Sequence, residues 1–174
     1  MSIKQMGQNG LSLELLYNMF TKEQIEEEQK TPDFWNYNNE PDDQKRKEII
    51  LSLIEPCNKI LDIGACEGFI TKDLPAKEIH AIEISDYASS RLPPNIKRIS
   101  EPEGEYDVVL ATGIFYNHYD YKQIIKWIEQ ANPKVLIIAG IEGKLLDYKI
   151  PTKEIKFPYR GMVQIIRKYE NLTR

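Results

Sequence analysis

Two stretches, "YDVVLATG" at 106–113 and "KVLIIAG" at 134–140, are apolar on consecutive residues rather than on alternate ones. A strand with one wet face alternates, whereas a strand apolar at nearly every step is covered on both faces. Such strands belong inside parallel sheets, whose crossovers usually carry helices. Three further strand candidates precede them: "KILDIG" at 59–64, "EIHAIEIS" at 78–85 and "NIKRIS" at 95–100. Turn and helix signals separate them. "FITKDL" begins a helix that Pro75 keeps short, and "YASSRL" has room for one or two turns before Pro93 and Pro94. "EPEGE" reads as a turn. "YKQIIKWIEQA" is an amphipathic helix with Ile124, Ile125, Trp127 and Ile128 on its apolar side, stopped by Asn132 and Pro133. The tail, "KEIKFPYRGMVQIIRKYE", reads as two extended segments around a Tyr-Arg-Gly turn.

The expected fold is therefore α/β, with five parallel strands in a doubly wound, Rossmann-like sheet closed by a C-terminal antiparallel hairpin. At 174 residues one domain is expected over 1–174, with 41–174 as its core. Residues 1–40 differ in character. "LSLELLYNMFTKEQIEEEQ" has helical spacing at Leu11, Leu15, Leu16 and Met19 and then turns acidic. "TPDFWNYNNEPDD" is an aromatic loop, and "QKRKEIILSLIEP" is a helix feeding the first strand. The leading segment would either fold over the ligand edge of the sheet as a lid or pack on its flank.

Charge and cysteine usage narrow the function. The net charge of −4 points away from a nucleic-acid partner, and the basic surplus in the last thirty residues reads as a solvated edge. Cys57 and Cys66 lie nine residues apart with no histidine pair at zinc spacing, so no metal is expected. No apolar run approaches the ~20 residues of a membrane span, and "MSIKQMGQNG" lacks a signal-peptide core. A soluble cytoplasmic protein is the expectation.

In doubly wound sheets the ligand lies beyond the carboxyl ends of the strands, where the strand order reverses. The turn leaving "KILDIG" falls there. A dinucleotide fingerprint would place its second and third glycines on Cys66 and Phe69, so the pyrophosphate reading fails. The pattern present is acidic-x-Gly-x-small-x-Gly: Asp62, Gly64, Cys66 and Gly68, with Ala65 between. Glycine at 64 lets backbone approach a ligand closely, and Asp62 or Glu67 would favour a cation. Glu83, nineteen residues after Gly64, is placed to take ribose hydroxyls, with Ile84 as an apolar wall for a base. Cys66 reads as a packing residue of the turn.

"DIGACEGFIT" resembles motif I of class I methyltransferases that use S-adenosylmethionine (AdoMet), and is similar to the NodS-like N-methyltransferases among them. "PDFWNYNNEPDDQKRKEIILSLI" is similar to that family's aromatic segment and Arg-bearing helix. By resemblance, Trp35 and Tyr37 pack over the cofactor and Arg46 meets its carboxylate. "EYDVVLATGIFYNH" resembles the fourth strand and its exit, adding Thr112, Gly113 and Phe115, with Phe115 against adenine or the core. The similarity covers roughly residues 31 to 170. It implies the class I methyltransferase fold, AdoMet as cofactor, and a small-molecule acceptor methylated on N or O, such as an amino sugar. Two departures stand out. The third-to-fourth strand connection, "SEPEGEYD", is very short, and the Asp that often meets the adenine amino group is absent, leaving Ser100, Glu101 or backbone. "IEGKLLDYK" leaves little room for a substrate cap, so the variant is compact. A non-catalytic AdoMet-binding module and an RNA-directed enzyme are the alternatives.

Methyl transfer needs alignment more than activation. The polar cluster after the fourth strand, Tyr116, Asn117, His118, Tyr119 and Asp120, is the acceptor-side candidate. His118 would be a base with an ordinary pKa of ~6.5, Tyr116 a hydrogen-bonding partner of acceptor or methyl. His80, inside a strand, reads as structural, and Asp107 as a bond to nearby backbone.

Overall fold

A computed structural model describes residues 21–115 and 121–172. Seven strands form one sheet in the order β3-β2-β1-β4-β5-β7-β6. The strands are β1 (Cys57–Ile63), β2 (Ala76–Ile82), β3 (Ile96–Arg98), β4 (Val108–Phe115), β5 (Val135–Ile141), β6 (Lys153–Tyr159) and β7 (Met162–Glu170). β1 to β5 pair in parallel, and β7 runs antiparallel between β5 and β6. The expected five parallel strands and terminal hairpin are present. The hairpin turn is built from Arg160 at φ 48 and Gly161 at φ 77, the two positive dihedrals that match strand twist.

Helices α1 (Lys22–Gln29), α2 (Pro41–Ser52), α3 (Asp86–Ser89) and α4 (Tyr121–Ala131) complete the described elements. α1 starts on a capping box between Thr21 and Gln24. α2 begins three residues before the expected stretch, because Pro41 at its first turn is pre-organised for a helix and Asp42 and Asp43 suit its positive end. "FITKDL" yields only a 3-10 turn at Thr71–Asp73. Phe69, Ile70 and Leu74 are all buried there and Pro75 follows at once, so no second turn fits.

Strand alternation sorts the core into two layers. Ile60, Leu110 and Ile137 pack with Ile50, Leu53 and Ile54 at the end of α2. Leu61, Ile63, Val109 and Ile138 pack with Ile124 and Ile128 of α4. Asp62 is in phase with the α2 side, which brings it toward Arg46 and Thr71. The order reverses between β1 and β4, so the crevice opens above their carboxyl ends, beside β2. Among the described residues, no helix is long and apolar enough to cross a membrane.

Candidate functional site

The turn after β1 is held by its own backbone. The Gly64 amide donates to the Ile82 carbonyl at 2.8 Å, and the Gly68 amide to that of Ala65 at 2.9 Å. Gly64, Cys66 and Gly68 have φ of 79°, 52° and 84°. A Cβ at Gly64 would lie 2.3 Å from Ile114 Cγ2. The space that glycine leaves is therefore filled by Ile114 of β4. Ala65 is buried beneath the turn.

Glu83 follows β2 directly and is half-buried. One carboxylate oxygen accepts the Cys66 amide at 2.7 Å and the other the Ser85 amide at 2.8 Å. These bonds fix the carboxylate against the glycine turn and leave each oxygen a further lone pair. Burial raises its pKa, against the lowering effect of the two amides. Ile84 beside it is half-buried. Asp62 is 3% exposed and accepts from the Thr71 hydroxyl at 2.6 Å. Burial raises its pKa to about 6, and the neighbouring Glu83 charge adds to the rise. Glu67 is committed elsewhere: Arg91 Nε donates to it at 2.8 Å, and the Asp33 amide at 3.1 Å. Of the two acids expected to face a cation, Asp62 is the one left. The Cys66 thiol reaches Gln29 at 3.5 Å, and burial raises its pKa, which agrees with a packing role.

The exit of β4 is irregular. Ala111 faces Ile138 and Phe115 faces Gly140, so β4 takes four steps where β5 takes two. Gly140 makes this possible: a Cβ there would lie 2.9 Å from the Phe115 carbonyl. The irregularity puts the Thr112 carbonyl against Arg46 Nη1 at 3.1 Å and Ile114 over Gly64. Bulges at the ends of strands re-aim side chains in this way. Among the described residues, nothing lies within 4 Å of where a Cβ on Gly113 would point. Phe115 is fully buried and packs edge-on against Tyr121 at 5.3 Å. Of the two expected places for Phe115, adenine or core, the structure gives the core, because the shifted register turns the ring toward α4. Tyr116 and His118, with Asn117, Tyr119 and Asp120, lie outside the described residues.

Trp35, Tyr37 and Arg46 come together on the α2 side of the crevice. Tyr37 stacks on Phe69 with centroids 5.3 Å apart, and the Arg46 guanidinium lies 5.3 Å from the Tyr37 ring. Arg46 is 2% exposed and bridges Asp43 at 3.1 Å and the Thr112 carbonyl. Trp35, Tyr37, Cys66, Glu67 and Phe69 line a small cavity of about 60 Å³. α1 lies across the far side. Its Glu26 accepts the Asp86 amide and the Ser85 hydroxyl, each at 2.7 Å, and the Gln29 carbonyl accepts from Arg91. Neither Glu26 nor Arg91 was singled out by sequence reasoning. Their contacts join residues about sixty apart and leave no local pattern. Asp107 behaves as expected, accepting the Asn58 and Lys59 amides at 2.9 and 3.0 Å.

No family profile and no curated protein matches the sequence. Solved structures do match in fold. The N-methyltransferase NodS from Bradyrhizobium japonicum WM9, in complex with S-adenosylhomocysteine, is 15% identical with a TM-score of 0.70, covering 86% of this chain and 97% of its own. The magnesium protoporphyrin IX methyltransferase ChlM from Synechocystis PCC 6803, with bound AdoMet, is 11% identical with a TM-score of 0.58 over 73% and 78%. A putative RNA methyltransferase, PH1948 from Pyrococcus horikoshii, is 16% identical with a TM-score of 0.54 over 87% and 97%. The chain therefore has the class I methyltransferase fold. Because that fold includes a putative RNA methyltransferase, the comparisons do not support the expectation against a nucleic-acid acceptor.

Proposed function

We propose that this chain is an AdoMet-dependent methyltransferase that transfers a methyl group to the N or O of a small molecule. The observation that carries the reading is Glu83. It stands at the end of β2, clamped by the Cys66 and Ser85 amides beside the glycine turn. A carboxylate so fixed is oriented to accept a ribose diol before any ligand arrives. The residues fit the cofactor in charge as well. Asp62 and Glu83 are carboxyls whose burial raises their pKa, and each gains by receiving a cation. Bound AdoMet supplies an activated methyl group and a positive sulfur, so the protein's part is to hold and align.

Trp35 and Tyr37 would cover the ligand, with Arg46 bounding it from α2, Thr112 from β4, and Ile84 beside the base. Gly64, Ala65, Cys66, Gly68 and Gly113 would offer backbone surface. Tyr116 and His118 are proposed to meet the acceptor, because their segment leaves β4 at Phe115 on the same edge. α1 and the aromatic turn are proposed as a lid, fastened through Glu26 and through the Glu67–Asp33 contact.

Calorimetry with AdoMet and S-adenosylhomocysteine tests the reading. Binding should be measurable for both and fall by about 10- to 100-fold in Glu83→Ala, the scale of losing a charge-assisted hydrogen-bond pair. Absence of binding by the unsubstituted protein would refute it.

A further inference from the structure

Arg160 sits in the β6–β7 turn, far in sequence from the candidate ligand residues, yet its guanidinium ends beside them. Nε donates to Asp43 Oδ2 at 2.8 Å and Nη2 shares the same oxygen. Nη2 also donates to the Trp35 carbonyl at 2.8 Å. The Arg160 amide is bonded to Asp42. The other oxygen of Asp43 accepts the Tyr159 hydroxyl at 2.7 Å and faces Arg46 Nη2 at 3.1 Å. Arg46 in turn donates to the Thr112 carbonyl at the irregular exit of β4. Asp43 is fully buried and Arg46 is 2% exposed, so solvent does little to screen this chain of charges.

We propose that Arg160 is a positioning residue for the ligand crevice. It acts through Asp43 and the Trp35 carbonyl, setting where the aromatic turn lies and how Arg46 meets Thr112. The chemistry favours this over a generic surface ion pair. One planar fork holds a carboxylate oxygen with two nitrogens while reaching a carbonyl on a separate segment, and a lysine ammonium cannot reproduce that fork. Lysine keeps the charge that Asp43 needs and can keep the turn and its amide bond to Asp42. Arg160→Lys therefore separates charge balance from positioning. With the fork lost, Trp35 is released and Asp43 pulls more strongly on Arg46, drawing it from the Thr112 carbonyl.

The test uses the full chain carrying Trp127→Phe, which leaves Trp35 as the single tryptophan. Three quantities are compared between this parent and its Arg160→Lys and Arg160→Ala versions: acrylamide quenching of Trp35, Kd for S-adenosylhomocysteine, and Tm. For Arg160→Lys the expectation is about twofold stronger quenching and about 10-fold weaker binding, with Tm within about 4 °C of the parent. Arg160→Ala should go further in all three, since it removes one of the two guanidiniums that balance the buried Asp43 carboxylate. Unchanged quenching and unchanged Kd in Arg160→Lys would overturn the proposal, as would a Kd change with no change at Trp35. The binding arm rests on the cofactor reading, and the quenching arm does not. A parent that binds no S-adenosylhomocysteine refutes that reading, and quenching then decides the role of Arg160 alone.

Discussion

On the proposed reading, Asp62 makes AdoMet binding dependent on pH in a way that can be worked out in advance. In the free protein, burial lifts its pKa to about 6 from an ordinary 3.8, even though the Thr71 hydroxyl bonds to it. A cation placed nearby favours the ionised form. If the cation returns the carboxyl to its ordinary value, the shift is about 2 units, worth up to ~3 kcal/mol or about 100-fold in affinity. The sign follows from proton counting. Between pH 4 and 6 the free protein holds a proton on Asp62 that the complex has lost, so binding releases a proton and strengthens as pH rises. The slope of log K against pH should approach one near pH 5 and flatten above about 7. Calorimetry in two buffers of different ionisation enthalpy, from pH 4.5 to 7.5, measures both affinity and proton release. AdoMet and S-adenosylhomocysteine share an ammonium, and only AdoMet carries a sulfonium. A slope for both assigns the cation to the ammonium, and a slope for AdoMet alone assigns it to sulfur. Asp62→Asn should flatten the profile, leaving only the contribution of Glu83. A flat profile for both ligands in the unsubstituted protein would refute the argument.

The same burial gives the free protein a stability cost. A carboxyl whose folded pKa is raised contributes stability below its unfolded value near 3.9, and loses it as pH climbs through about 6. Asp62→Asn should therefore raise the apo stability at pH 7 by ~1–3 kcal/mol in urea unfolding, with little gain at pH 4. Gly64→Ala combines a positive φ with a collision against Ile114, and should cost ~3 kcal/mol or more. Gly64→Ala with Ile114→Ala should recover less than half of that cost, since the backbone strain persists; full recovery would show that sterics alone require the glycine. His80 is buried between the Tyr106 hydroxyl at 2.8 Å and Glu78 at 2.6 Å, and desolvation lowers its pKa, with Lys59 adding to it. Its folded pKa lies below the unfolded value, so its stability is present above ~6.5 and declines as pH falls below that. Unfolding curves of His80→Gln should lack this acid-side decline.

β4 and β5 were legible because each is apolar on consecutive residues, and the hairpin because its turn carries the residues its dihedrals demand. The short helices were legible only as limits. Pro75 shows that little helix can follow Gly68, while the sequence carries no sign that Thr71 would spend its hydroxyl on Asp62. The glycine turn and Glu83 could be found by counting, since the sheet fixes their spacing. The register shift of β4 could not, because it depends on Gly140 of a different strand making room for the Phe115 carbonyl. Arg160 was visible as a turn residue and invisible as a partner of Asp43, 117 positions earlier, because a contact between distant segments needs no pattern in either.

The acids around the crevice divide by what they have already bonded. Glu26 is spent on the start of α3, Glu67 on Arg91 and the Asp33 amide, and Asp43 on two arginines and a tyrosine. Each of these draws a distant segment toward the carboxyl edge of β1, β2 and β4. Asp62 and Glu83 have hydrogen bonds but no ion-pair partner within 4.0 Å among the described residues, and burial holds their pKa values up. A protein folding for stability alone would gain from replacing these two with neutral residues. Keeping desolvated carboxyls where the strand order reverses makes sense when a cation with a ribose arrives to offset the cost. On that argument the ligand completes the electrostatics of the fold, and mutations that stabilise the empty protein at Asp62 or Glu83 should be the ones that weaken binding.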